Sequence, residues 1–111
     1  MERIQYTGLK DLKDSEKIIL DKLSADYYAR IQRAVKNENT SISIHIKVYK
    51  KAGNRRKFSI NTKAVAPTTI FESKRSNDWN FQTALHGSLE SLYKEILSRL
   101  RTDTHYKKSY E

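Results

Sequence analysis

Between Ser41 and Tyr49, apolar and polar residues alternate without a break. Ile42, Ile44, Ile46 and Val48 fall on one side, and Ser41, Ser43, His45, Lys47 and Tyr49 on the other. A strict period of two marks an antiparallel strand with one buried face and one wet face. Lys51-Ala52-Gly53-Asn54-Arg55 reads as a turn, after which Phe58, Ile60, Thr62 and Ala64 resume the alternation on a partner strand. Pro67 cannot donate to a hydrogen-bonded ladder, so it marks a break or an edge. Thr68 to Lys74 reads as a further strand, with Phe71 as its inward anchor.

On either side of this meander the period changes. Arg3 to Thr7 is short, alternating and rich in strand formers, and Gly8 closes it. Ile19, Leu23, Tyr27, Ile31 and Val35 then recur every fourth residue, which predicts an amphipathic helix over Ser15 to Val35. Asp14 is its expected N-cap, and Glu16 favours the dipole in its first turn. Ala84, Leu85, Leu89, Leu92, Ile96 and Leu100 predict a second helix from about Trp79 to Arg101, capped by Ser76-Asn77-Asp78. The order is β-α-β-β-β-α. The expected fold is an α+β two-layer sandwich, with a four-stranded, mostly antiparallel sheet and both helices on its apolar face. His45, Lys47, Tyr49, Lys57, Ser59, Asn61 and Lys63 would stand on the other, wet face. Residues 1–101 are expected to form one domain, and 102–111 a polar, flexible tail.

Charge adds what periodicity cannot. The chain of 111 residues carries a formal net charge of +9. Ser41 to Arg75 hold nine Lys or Arg against a single acid, Glu72, while the flanking thirds are close to neutral. Such segregation repels itself unless a polyanion receives it, whereas solubility alone needs no segregation of sign. Nucleic acid is the commonest such partner. The hydrophobic share, 37%, suits one modest core. The absence of cysteine excludes disulfides and thiolate zinc sites. No apolar run exceeds three residues, and none follows Met1-Glu2-Arg3, so neither a membrane span nor a signal peptide is expected. The expectation is a soluble, cytoplasmic protein.

Constellations for catalysis are poor. Gly8, Gly53 and Gly87 are too far apart for a phosphate-cradling loop, and His45, His86 and His105 are too scattered for a metal. No cofactor and no small-molecule substrate are expected. His45 could transfer protons in RNA cleavage. Its place in the alternation is better explained as that of a polar residue on a wet strand face, and His86 reads as a partly buried hydrogen-bonding group. The acids Asp11, Asp14, Glu16 and Asp21 fit capping and the helix dipole better than a catalytic pair. The expectation is therefore a binding module rather than an enzyme. Its candidate RNA contacts are Lys47, Tyr49, Lys50, Lys51, Arg55, Arg56, Lys57, Lys63, Lys74 and Arg75, with Arg99, Arg101, Lys107 and Lys108 at the far helix end. A base could stack on Tyr49 while neighbouring lysines hold phosphate. Tyr27 and Tyr28 read as core and rim packing, and Trp79 as packing at a helix start.

Ile4-Gln5-Tyr6-Thr7-Gly8, the long helix after Asp14, the three-strand meander and Asn77-Asp78-Trp79 leading into Ala84-Leu85-His86-Gly87-Ser88-Leu89 occur in that order. In this order and spacing the chain resembles the ribosome hibernation promoting factor family, also called protein Y or ribosome-associated inhibitor. The basic Arg99 and Arg101 resemble the positively ended final helix of that family, which is usually more basic. The resemblance implies a protein that binds ribosomal RNA of the small subunit in the channel for messenger and transfer RNA. It would silence translation under stress, without reaction or cofactor, and would be monomeric off the ribosome. The chain resembles the short form, which lacks the domain that pairs two ribosomes. The double-stranded RNA-binding domain shares an α-β-β-β-α order and is the alternative. Its usual lysine cluster at the last helix is replaced here by Asp78-Trp79-Asn80-Phe81.

Overall fold

The two alternating segments form the centre of a sheet. The structure, a computed structural model, describes residues 3–36, 39–50 and 56–108. Strand β2 (Ser41–Lys50) pairs antiparallel with β3 (Arg56–Val65), in register from Ser41 opposite Val65 to Lys50 opposite Arg56. Strand β1 (Ile4–Thr7) lies parallel to β2, with Ile4 beside Ile42 and Thr7 beside His45. Two parallel neighbours need a long crossover, and helix α1 (Asp14–Val35) provides it. Pro67 and Thr68 form a tight turn closed by hydrogen bonds between Ala66 and Thr69. Beyond it, β4 (Ile70–Glu72) and β5 (Ser76–Asp78) both pair antiparallel with β3, and helix α2 (Phe81–Lys108) follows.

The expected α+β sandwich is therefore present, with five strands in place of four. The strand expected over Thr68 to Lys74 stops at Glu72 because Ser73 turns inward, and pairing with β3 resumes only at Ser76. Its Oγ accepts a hydrogen bond from Thr62 N–H at 3.0 Å, and its own N–H donates to the Thr62 carbonyl at 2.9 Å. Ser73 Oγ also lies 3.1 Å from Ser88 Oγ, and Thr62 Oγ1 donates to the Ser88 carbonyl at 3.2 Å. Thr62, Ser73 and Ser88 are all buried, so the polar break in the edge is satisfied inside the core. Ser76-Asn77-Asp78, expected as a helix cap, is instead β5. Asn80 caps α2: its Oδ1 accepts from Thr83 N–H at 2.9 Å. Helix α1 begins one residue early. Lys13 is its N-cap, with its N–H donating to Glu16 at 2.8 Å, so Asp14 lies in the first turn. Helix α2 passes Arg101 and runs to Lys108, and no Gly or Pro stands between them to stop it.

One face of the sheet carries the core. Ile42, Ile44, Ile46, Phe58, Ile60, Ala64 and Phe71 meet Leu20, Tyr27 and Ile31 of α1 and Phe81, Leu85, Leu89, Leu92 and Ile96 of α2. Each Ile, Leu or Phe among them contributes roughly 1.5–3 kcal/mol on burial. Both helices start at the end of the sheet that carries the β2–β3 connection: Glu16 of α1 pairs with Arg56, and Phe81 of α2 lies edge-on to Phe58 at 5.3 Å. With both helices on the apolar face, the opposite face has no element over it among the described residues.

Tyr27 ties the helices together. Its hydroxyl donates to Glu90 at 2.5 Å, while the rings of His86 and Tyr93 meet its own edge-on. His86 is exposed rather than partly buried. Burial and the hydrogen bond to Glu90 push the Tyr27 phenol up to about 12 from its ordinary 10.0. The folded state thus holds this proton more tightly than the unfolded state does. The stability it contributes is complete below pH 10.0 and lost as pH rises through about 12. Urea unfolding across that window should weaken more steeply in the natural protein than in Tyr27→Phe. Equal slopes would mean that the phenol–carboxylate bond carries no stability.

Candidate nucleic-acid interface

Strand registers turn the uncovered face into rows. At the end beside the β2–β3 connection, Tyr49 stands opposite Lys57. Trp79 follows Asp78, the partner of Phe58, and Lys57 Nζ lies 5.8 Å from its ring centroid. The next row is Lys47, Ser59 and Asn77, and the third is Thr7, His45 and Asn61. The fourth is Gln5, Ser43, Lys63 and Glu72. The first three rows carry no carboxylate, so positive potential builds towards Lys47 and Lys57. Glu72 offsets it beside Lys63 at the other end.

Four predicted contacts, Lys47, Tyr49, Lys57 and Lys63, thus share one face. Others are placed elsewhere. Arg56 falls on the opposite parity, beside Phe58. Its Nη2 meets Glu16 at 2.6 Å and its Nη1 donates to the Asp11 carbonyl at 2.7 Å. The guanidinium is engaged inside the fold, pinning β3 to the start of α1. Arg99 donates to the Ile70 carbonyl at 3.1 Å and covers the Phe71 ring. Lys74 and Arg75 are exposed at the split in the edge, next to α2. Lys51 and Arg55 lie outside the described residues, as do the side chains of Lys50, Arg101, Lys107 and Lys108.

Two members of the face depart from the sequence expectation. Ser59, expected to be wet, is buried, and its hydroxyl finds no hydrogen-bond partner in the structure. Longer side chains flank it on every side, from Lys47 to Asn77. Trp79, expected as packing at a helix start, stands 43% exposed, close to the 44% of Tyr49. The alternation Asn77, Asp78, Trp79 would have put it on the open face had this stretch been read as strand. His45 is exposed in the third row with Asn61 opposite. Among the described residues, no three His, Asp or Glu side chains gather where a metal could sit. No described helix is long and apolar enough to cross a membrane.

No protein-family model matches the chain, and neither does any curated protein. Among solved structures, its fold is similar to that of the N-terminal domain of Thermus thermophilus Protein Y. The TM-score is 0.51 at 12% sequence identity, covering 87% of this chain and 96% of that one. At that identity the likeness is one of fold.

Proposed function

We propose that this protein binds the small ribosomal subunit in the channel used by messenger and transfer RNA, and blocks translation sterically. One observation carries the reading: a fold like that of Protein Y presents an uncovered sheet face whose first two rows hold Lys47, Lys57, Tyr49 and Trp79 and whose first three rows are free of acid. Lysines on such a face take phosphates by counterion release and position an RNA backbone without reading its sequence. No reaction is required, and His45 serves as a polar surface group. The protein would act in the cytoplasm under stress, as a monomer until it meets the ribosome.

Sedimentation with purified small subunits tests the reading, with free duplex RNA in parallel. The protein should travel with the subunits and be displaced by messenger RNA and initiator transfer RNA. A module for duplex RNA reads A-form shape, so any sufficiently long duplex would serve it. Equal binding to plain duplex, without competition by transfer RNA, would overturn the ribosomal assignment. RNA cleavage that vanishes in His45→Ala would overturn the non-enzymatic one.

A further inference from the structure

Large aromatic side chains are mostly core material, because burying one removes a large apolar area from water. Phe58, Phe71, Phe81 and Tyr27 obey this, each almost fully buried. Tyr49 and Trp79 do not, and they fall in the same row, with Lys57 between them. The other large exposed apolar residues, Ile18 and Ile70, lie on α1 and β4.

We infer that Tyr49, Lys57 and Trp79 form a stacking site for unpaired nucleotides, so the RNA taken by this face is single-stranded. The inference deepens the RNA-binding reading above and rests on it. Two strand spacings separate the aromatic residues, about 10 Å, which is the rise of about three stacked nucleotides and fewer unstacked ones. A base has a π-face to offer only when it is unpaired, whereas a duplex presents phosphates, sugars and groove edges. Lys57 stands at the outer limit of cation–π range from Trp79, so its ammonium can turn to a phosphate at small cost. Lys47, in the adjoining row, extends the phosphate track along β2.

The chain has a single tryptophan, so Trp79 reports on its own site. Its fluorescence is followed during titration with a short unstructured oligoribonucleotide, the same sequence as a duplex, and inorganic polyphosphate. Stacking predicts strong quenching by the single strand and little by the other two. Tyr49→Ala should weaken single-strand binding about tenfold, as should Trp79→Ala, measured by anisotropy of a labelled strand. Neither should alter the salt slope, since every lysine that meets phosphate is still in place. Trp79→Phe should keep most of the affinity. Equal quenching by polyphosphate, or unchanged affinity in both alanine variants, would overturn the stacking site. Subunit binding separates this from the broader reading. Quenching by free oligonucleotide with no subunit binding would remove the ribosome and leave the stacking site. Subunit binding without quenching, unaffected by both alanine variants, would do the reverse.

Discussion

Replacing Lys47, Lys57 and Lys63 together with alanine is expected to weaken RNA binding about fiftyfold near physiological salt. Each single-strand phosphate that a lysine neutralises adds about 0.7 to the steepness of log affinity against log salt. Without the three lysines the slope should flatten by about 2.1, which at about 0.15 M salt corresponds to about 1.7 decades of affinity. The effect should be similar for all RNA sequences, because groups that meet phosphate carry no base information. Folding should be unharmed, since the three side chains leave the sheet on its uncovered face and like charges are being removed. Arg56→Ala should behave in the opposite way. It leaves the Glu16 carboxylate, whose side chain is 14% exposed, with the Lys13 N–H but without its charged partner, and takes the Arg56 donor from the Asp11 carbonyl. Stability should fall by about 1–3 kcal/mol while the salt slope stays unchanged. Salt titrations of both variants, with urea unfolding in parallel, decide between the two roles. An unchanged slope in the triple variant would move the RNA to another surface, such as the far end of α2.

Gly8→Ala is expected to be the most damaging single methyl group in the molecule. Gly8 has φ of +91°, a conformation that L side chains rarely adopt. A Cβ there would also stand 1.9 Å from the Ile46 carbonyl oxygen. That oxygen cannot withdraw, because it belongs to the middle of β2, where Ile46 is buried opposite Ile60. Strain and clash together should cost about 3 kcal/mol or more. Thermal and urea unfolding measure it. A destabilisation below about 1 kcal/mol would show that the connection from β1 to α1 can shift bodily away from β2.

The parts of the fold legible in the sequence are those whose signal is local and repeated. The alternation through Ile42 to Val48 and Phe58 to Ala64 yields both central strands and their faces, and Phe71 is buried as expected. Tyr27 and Tyr28 pack as read, the latter donating to the Thr40 carbonyl. What was not legible depends on partners distant in the chain. Ser76, Asn77 and Asp78 are cap formers by composition, and only pairing with Ile60, Ser59 and Phe58 makes them a strand. Glu16, which engages Arg56, lies 40 positions away in the chain. The same limit governs the interface. Lys47, Tyr49, Lys57 and Lys63 follow from period two alone, whereas Trp79 joins them only once β5 exists.

The split between β4 and β5 bears on how open the sheet is to strand addition at its edge. A sheet edge with free backbone groups is a template on which another chain can add a strand. Here that template is interrupted on both sides. β1 offers four residues and pairs only with Ile42 to His45, so the edge steps back to β2 beyond it, and β4 and β5 offer three each, with the inward turn of Ser73 between them. Lys74 and Arg75 project at that break, where an incoming strand would have to pass. Short, kinked and charged edges discourage strand addition and fibrous aggregation. Among the described residues, any contact made through the uncovered sheet face would therefore be made by side chains rather than by an added backbone strand.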